Sequence, residues 1–371
     1  MTAGTARFGL EGSAPAGDGD IVISIDAMSG DRGVADVVHG MAMSLEKNAR
    51  LRYIVHGDEA VLAPAIVKQP GLAARAEIRH AAGVVAMDEK PSRALRNAQG
   101  TSMWNALETV KAGESPVVIS CGNTGALMAL SMLTLRKAPG VGRPAIAVFW
   151  PSSNPAGYNV LLDGGADIRA DAEDLVKYAV MGASYARNAL GLTCPRVGLL
   201  NVGTEEHKGR SELHAAAERM AVVAAAGDFD YIGYVEGSDM ASSRVDVIVT
   251  DGFTGNVALK TGEGTARMIQ GQLKAAFEYS PLSRLGALFA LTSLKRLQKR
   301  IDPRRVNGGV FLGLNGTVIK SHGSADATGI SAAIKLAFTL AEHGFTERLA
   351  ARIALGPAEH APDAARGGAP T

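Results

Sequence analysis

This chain of 371 residues has little cysteine, no excess of charge and no long apolar run. Its two cysteines, Cys121 and Cys194, cannot build a disulfide framework, which indicates a reducing, cytoplasmic setting. A formal net charge of +1 gives no global reason to expect nucleic acid or an acidic partner, so any anion must be bound locally. No apolar run reaches the roughly 20 residues of a membrane span, and the start of the chain does not resemble a secretory signal.

Short apolar segments alternate along the chain with stretches of helical periodicity. Nine segments read as buried strands: 21–26, 51–56, 76–80, 117–120, 145–149, 159–163, 197–202, 231–235 and 245–250. Five stretches are predicted to be helical: 33–48, 91–111, 171–190, 211–226 and 256–277. This alternation is typical of an α/β protein whose mainly parallel sheet is covered by helices on both faces. We expect a single α/β domain over residues 20–350, a candidate subdomain junction near 138–165, and disordered tails at 1–19 and 351–371.

Four glycine-rich loops each follow an apolar strand and open a helix. Such a helix start offers unpaired N–H groups and the positive end of the helix dipole, and both favour an anion. Because ligands of α/β sheets bind where loops leave the carboxyl ends of the strands, we expect the loops to converge on one cleft for a phosphate-bearing or oxyanionic reactant. The candidate phosphate-binding residues are Asp26, Gly122, Asn123, Thr124, Gly125, Gly252 and Asn256.

Four further residues are candidates for catalysis. Asp251 ends an apolar strand, where a carboxylate has few structural uses, and Lys260 shares a helix face with Asn256 by i, i+4 spacing. Lys208 could offset the charge of a phosphate or a developing oxyanion, and His322 is the histidine best placed to move a proton. The alternatives are ordinary ones: helix caps at Asn123 and Asp251, surface lysines, and a structural histidine.

Neither a metal nor a cofactor is predicted. Glu205 and Glu206 have no histidine or aspartate at metal-ligand spacing beside them. No dinucleotide-binding Gly-x-Gly-x-x-Gly follows the first strand, and no Walker-type phosphate loop is present. Cys121 lies at a predicted helix start, but no histidine is near it in sequence, so we interpret it as structural.

Residues 283–301 break the α/β pattern with leucines at helical spacing among clustered cations. One interpretation is a protruding basic amphipathic helix, within residues 280–305, that lies on an anionic membrane surface. The other is a helix packed on the core or at a dimer seam with its cations solvated. The candidate membrane-binding residues are Leu288, Phe289, Leu291, Lys295 and Arg296.

Seven motifs in chain order resemble the bacterial phosphate acyltransferase family, often called PlsX, the acyl-acyl-carrier-protein:phosphate acyltransferases. They are Asp26–Asp31, Ser120–Met128, Arg143–Ala145, Leu199–Gly203, Lys208–Gly209, Asp251–Lys260 and Lys320–Gly323. The resemblance runs from about Ile21 to Phe345. Three departures lie beside the loops: Ser29 stands where the family usually has Gly, Cys121 where it has Ala, and Asp167 where it has Asn.

The resemblance implies transfer of a long acyl chain from acyl carrier protein to inorganic phosphate, giving acyl phosphate for phosphatidic acid synthesis. It also implies a homodimer with a three-layer α/β/α fold that is isocitrate/isopropylmalate dehydrogenase-like. Family members are cytoplasmic and sit peripherally on the membrane, near the membrane glycerol-3-phosphate acyltransferase.

On this hypothesis the loops at Gly122 and Gly252 cradle phosphate, Lys208 or Lys260 offsets charge, and His322 handles the proton. Three alternatives remain open. They are a coenzyme A-dependent phosphotransacylase for short acyl groups, a nicotinamide-dependent dehydrogenase, and a peripheral membrane scaffold.

Overall fold

The computed structural model describes residues 19–224, 228–301 and 308–354, and only the backbone of residues 295–301 and 354. Its strands are β1 (Ile21–Asp26), β2 (Leu51–Gly57), β3 (Ala76–His80), β4 (Val117–Ser120), β5 (Ala145–Pro151), β6 (Tyr158–Leu162), β7 (Arg196–Leu200), β8 (Asp230–Val235), β9 (Val247–Val249), β10 (Gly309–Leu312) and β11 (Thr317–Lys320). They form a single eleven-stranded sheet in the order β3-β2-β1-β4-β11-β10-β5-β6-β9-β7-β8.

Eleven α-helices within the described ranges cover the sheet. They are α1 (Val34–Leu45), α2 (Glu59–Val67), α3 (Pro91–Asn97), α4 (Ser102–Lys111), α5 (Thr124–Thr134), α6 (Ala172–Leu190), α7 (Ser211–Ala224), α8 (Gly252–Glu278), α9 (Pro281–Ile301), α10 (Ala327–Glu342) and α11 (Phe345–Ala354). None of them is long and apolar enough to cross a membrane.

Alternate residues of the strands enter different cores. In β4, Val117 and Ile119 pack on the side of α1, α6 and α10, whereas Val118 packs with α4 and α5. In β9, Ile248 belongs to a buried cluster against which Ala258 of α8 packs. Because successive strand side chains point to opposite faces, this pattern places helices on both sides of the sheet. The predicted three-layer α/β/α architecture is confirmed.

The sheet consists of two parallel groups that run in opposite directions. The first group is β3, β2, β1, β4 and β11, and the second is β6, β9, β7 and β8. Between them, β10 is antiparallel to β11 and β5, and β5 is antiparallel to β6. The carboxyl ends of the two groups therefore lie at opposite edges. The expectation that all four glycine-rich loops leave the sheet at one edge is wrong for this reason.

Three predicted elements differ from the structure by four residues or more, and the other predicted bounds differ by three or fewer. The helix predicted over 91–111 is split into α3 and α4 around Gly100, whose φ of 80° is left-handed. Helix α8 begins at Gly252, four residues before the predicted start at 256. Residues 351–354 belong to α11, with Ile353 packed on the core, although they were assigned to the tail. The rest of both predicted tails lies outside the described residues, apart from Gly19.

Helices α8 and α9 contact each other and form a protrusion from the body. Every residue from Gly264 to Ala276 is exposed, because this part of α8 has left the sheet. The exposed side chains of α9 include Leu282, Leu285 and Phe289, the last with 86% of its surface accessible. The protruding helical segment predicted from the sequence is therefore present in the fold.

We expect acid to destabilise the fold through His56 of β2. This imidazole is buried, and its Nε2 lies 3.1 Å from the Thr109 hydroxyl. Burial, reinforced by Arg79, lowers the pKa of His56 to about 4. The unfolded chain binds a proton near pH 6.5 and the folded chain only near pH 4, so stability is lost as the pH falls through that window. Urea unfolding at pH 7 and 4.5 should show a His56 contribution of about 2–3 kcal/mol. The free energy of unfolding of His56→Gln, whose side chain does not titrate, should fall correspondingly less over the same pH range. Equal falls in both proteins would contradict the assignment.

Candidate active site

Three loops meet where β1, β4 and β11 end, and we call this group the loop cluster: residues 26–31, 120–125 and 320–324. The Ser120 hydroxyl donates to Asp26 Oδ2 at 2.6 Å, and Asp26 is buried. The backbone N–H of Asp31 donates to the Gly323 carbonyl at 2.8 Å. Gly30, with φ 118°, passes so close to Cys121 that a β-carbon would lie 2.9 Å from its Cβ. Three of the four predicted loops are thus in direct contact.

Lys320 is the cation of the loop cluster. Its ammonium group donates to the carbonyl oxygen of Cys121 at 3.3 Å and to that of Ser321. Burial lowers the pKa of Lys320, while Cys121, Asp31 and Asp26 oppose the shift. An ammonium group has three donors, and no third acceptor contacts this one within the described ranges. One donor therefore remains for a ligand.

Helix α5 begins beside this cation. Asn123 caps the helix by accepting the N–H of Ala126 at 3.0 Å, and its amide donates to the carbonyls of Met87 and Glu89. The side chain of Asn123 is therefore committed to the protein. Thr124 and Gly125 are exposed, and their N–H groups belong to the first turn, which has no intrahelical acceptors. These two groups offer an anion site at the start of α5.

Two polar side chains of the loop cluster are buried beside that helix start. The Ser29 hydroxyl has no hydrogen-bond partner in the described part of the chain, and it lies next to Gly122. Cys121 is also buried, which raises the pKa of its thiol to about 11. A thiol with that pKa is protonated near neutrality, in agreement with its interpretation as structural.

His322 links the loop cluster to α8. Its Nδ1 lies 3.0 Å from the Ser324 hydroxyl. Partial burial lowers the pKa of His322, Lys320 and Lys260 lower it further, and Glu263 and Asp31 oppose them. Lys260 itself pairs with Glu263 at 3.1 Å. The two lysines therefore disfavour the charged form of His322, and its lowered pKa favours the neutral imidazole near pH 7.

The fourth loop begins α8 and contacts a different set of residues. Asp251 is buried, caps α8 by accepting the N–H of Thr254 at 2.7 Å, and pairs with Arg210. Although burial alone raises the pKa of Asp251, these bonds outweigh it and the pKa is lowered. The Gly252 N–H donates to the Asp167 carbonyl at 2.7 Å, and Asn256 packs on Gly165. Within the described residues, no hydrogen bond or ion pair joins this loop to Gly122.

Asp163 anchors that region of the protein. It is fully buried and accepts the backbone N–H groups of Ile146, Gly165, Ala166 and Asp167 at 2.7–3.0 Å. A β-carbon on Gly252 would lie 2.6 Å from its Oδ2, and one on Gly255 would overlap its carbonyl oxygen. The glycines at the start of α8 therefore permit close packing on Asp163.

The other predicted site residues lie on exposed elements. Lys208 pairs with Glu205 at 2.7 Å on the loop after β7, which raises the pKa of Lys208. Leu288, Phe289 and Leu291 are exposed on α9, 66%, 86% and 43% respectively. Lys295 and Arg296 belong to α9, and their side chains lie outside the described residues.

Sequence reasoning missed Lys320, Asp163 and Arg210 as site or anchoring residues. Lys320 opens the motif that contains His322, and its position at a strand end beside a glycine loop was the available signal. Asp163 also follows a strand directly. Nothing local in the sequence distinguishes Arg210 from its charged neighbours, because its partner is 41 residues away.

The mixed sheet has the fold of the phosphotransacetylases. A crystal structure of a phosphotransacetylase from Streptococcus pyogenes matches it with a TM-score of 0.57 over 87% of this chain and 94% of that chain. The two sequences are 17% identical, so this likeness concerns the fold.

The chain belongs to the family described as fatty acid synthesis protein, whose model matches residues 21–348. Among its relatives, a phosphate acyltransferase of Paracoccus denitrificans is 68% identical over 91% of this chain and 92% of the relative. A phosphate acyltransferase of Jannaschia sp. is 66% identical over the same shares, 91% and 92%.

Proposed function

We propose that this protein is an acyltransferase that moves a long acyl group from acyl carrier protein to inorganic phosphate, giving acyl phosphate for phospholipid synthesis. The family and the names of its relatives support transfer of an acyl group to phosphate. The observation that carries the proposal is the position of Lys320 beside the open start of α5. A cation and exposed N–H groups together suit a phosphate that must be bound and aimed.

In the proposed reaction, phosphate is held by the N–H groups of Thr124 and Gly125 and by Lys320. One phosphate oxygen attacks the thioester carbonyl carbon, the C–S bond breaks, and the thiol leaves. Lys320 and Lys260 stabilise the negative charge that develops on the carbonyl oxygen. Neutral His322 accepts the phosphate proton and passes it to the departing sulfur. The proton of the step comes from phosphate, and the two lysines offset the negative charge that develops.

The remaining candidate residues receive positioning roles in this proposal. Asp251, Gly252 and Asn256 fix the start of α8 on Asp163 and Gly165, and α8 carries Lys260. Asp26 and Asn123 hold the loops of β1 and β4 in place. Both lysines pair with a nearby glutamate, but only the charge of Lys260 acts on His322 and Lys320, so Lys260 is the stronger of the two lysine alternatives.

The test is incubation of the protein with palmitoyl-carrier protein, with and without phosphate, followed by mass detection of acyl phosphate. We expect acyl phosphate and free carrier thiol only when phosphate is present. Parallel reactions with acetyl and palmitoyl coenzyme A test the alternative of a short-chain phosphotransacylase. Loss of thioester without phosphate, or from acetyl coenzyme A alone, would contradict the proposal.

We also propose a cytoplasmic homodimer that sits peripherally on an anionic membrane, where its product meets the membrane glycerol-3-phosphate acyltransferase. The exposed leucines and Phe289 of α9 support a membrane-facing role. Acyl phosphate carries a long apolar chain, so release at the bilayer surface shortens its path through water.

Leu288→Ser together with Phe289→Ser should weaken binding to anionic vesicles at least tenfold. Both side chains are exposed, and an apolar side chain of this size contributes about 1.5–3 kcal/mol when fully buried. Vesicle flotation measures the effect. Val222→Ser, on exposed α7, is the matched control and should bind as the parent does. Unchanged flotation of the double variant would exclude α9 as the contact.

A further inference from the structure

The hydroxyl of Ser29 is the unusual polar group of the loop cluster. Ser29 exposes 3% of its surface, and its Oγ forms no hydrogen bond with any residue that the structure describes. The carboxylate of Asp26 accepts the backbone N–H of Ser29 at 3.4 Å and the Ser120 hydroxyl at 2.6 Å, but not the hydroxyl of Ser29. A buried hydroxyl without a hydrogen bond costs free energy, so its presence in a folded protein calls for an explanation.

The backbone holds this hydroxyl against the start of α5. Gly30, with a left-handed φ of 118°, turns the chain directly after Ser29. A β-carbon on Gly122 would lie 2.9 Å from the Cβ of Ser29 and 3.1 Å from its Oγ. Gly122 immediately precedes Asn123, the N-cap of α5. The side chain of Ser29 therefore faces the backbone that leads into the first turn of this helix.

The groups that line the hydroxyl on this side can admit a ligand. Gly122 has no side chain, and the terminal methyl group of Met103 fills the position that a β-carbon of Gly122 would take. Methionine is unbranched and flexible, so this methyl group can move aside. Bare backbone and a movable methyl group therefore separate the hydroxyl from an anion at the first-turn N–H groups of α5.

We propose that the Ser29 hydroxyl donates a hydrogen bond to a phosphate oxygen at the start of α5 and thereby strengthens phosphate binding by this chain. The inference rests on the proposed function and deepens it, because it assigns a further donor to the phosphate. The family that the sequence resembles usually has Gly at this position, so the hydroxyl is not a requirement of the chemical step. Its loss should therefore change the KM for phosphate more than kcat.

Ser29→Ala tests the proposal, because it removes the hydroxyl and little else. In initial rates with palmitoyl-carrier protein and varied phosphate, we expect the KM for phosphate to rise about tenfold, as for one hydrogen bond to an anion, and kcat to change less than twofold. Thermal melts give an independent measurement, since a bound ligand raises Tm. Without phosphate, Ser29→Ala should melt no lower than the parent, whereas a given rise in Tm should require about tenfold more phosphate.

Ser184→Ala is the matched control. Ser184 lies in α6, is fully buried, and its hydroxyl also has no partner in the described structure. This variant should melt no lower than the parent without phosphate, and it should keep the parental KM and the parental response of Tm to phosphate. Ser29→Gly removes the same hydroxyl as Ser29→Ala and should reproduce its effects on phosphate, so it decides the question if the alanine variant does not fold.

A Ser29→Ala protein with the parental KM for phosphate and the parental response of Tm would overturn the inference. A lower Tm without phosphate, together with an unchanged KM, would also overturn it, because the hydroxyl would then serve the fold. Failure of the proposed function has a different signature. The parent protein would then form no acyl phosphate, whereas the melts would still report whether Ser29 strengthens the binding of phosphate.

Discussion

Lys320→Met should reduce kcat/KM for phosphate-dependent acyl transfer by about 10²–10³, the usual cost of removing one preorganised oxyanion donor. The lysine lies at the end of β11 with its ammonium group fixed by the carbonyls of Cys121 and Ser321, so its charge needs no reorganisation during the reaction. Methionine is similar in size and cannot carry the charge. Most of the loss should appear as a higher KM for phosphate, which is measured from initial rates at varied phosphate concentration.

The pH profile separates this role from a structural one. Because burial lowers the pKa of Lys320, the parent protein should lose activity on the alkaline side earlier than an ordinary lysine would require. That limb should be absent from the residual activity of Lys320→Met. Lys335→Met, at an exposed lysine of α10 whose pKa is also lowered by desolvation, is the control and should keep both rate and profile. A Lys320→Met protein with parental kcat/KM would remove the lysine from the mechanism.

The sequence was sufficient for the elements that are locally encoded. Strands β1, β3 and β4 have the predicted bounds: β1 and β4 are mainly apolar, β3 alternates apolar and charged residues, and each of the three ends at a polar residue. The reversal between the two halves of the sheet was not predictable in this way. It depends on the antiparallel pairing of β10 with β5. Paired residues such as Leu312 and Ala145 are 167 positions apart in the chain, beyond the reach of local sequence signals.

The glycine-rich loops show the same limit at the site. Gly122 and Gly252 follow strands and open helices alike, and the sequence predicted one role for both. The structure separates them, because the N–H of Gly252 is bonded to Asp167 and its α-carbon is packed on Asp163. The contacts that decide the role of Gly252 come from a loop about 90 residues earlier in the chain, so no local sequence pattern indicates them. The N-cap alternative for Asp251 was the correct structural description.

Asp163→Ala should destabilise the fold by about 4 kcal/mol or more, the largest effect on stability that we expect from a single substitution. Four backbone N–H groups converge on this buried carboxylate, and alanine leaves all of them without an acceptor. Two of these donors, on Ile146 and Asp167, belong to buried residues, and each buried donor that loses its partner costs about 1–3 kcal/mol, whereas the N–H groups of the more exposed Gly165 and Ala166 can turn to water. Urea unfolding at pH 7 gives the measurement.

Asp171→Ala is the matched control, because Asp171 accepts a single N–H as the cap of α6 and its loss should cost only about 1 kcal/mol. Asp163→Asn keeps the shape of the side chain but presents an amide to the same donors. Its loss in free energy of unfolding should therefore lie between those of the two alanine variants. If it folds, its kcat should also drop, since Asp163 supports the start of α8 and α8 carries Lys260. An Asp163→Ala protein no less stable than Asp171→Ala would show that the four N–H groups find other acceptors, and that α8 is anchored elsewhere.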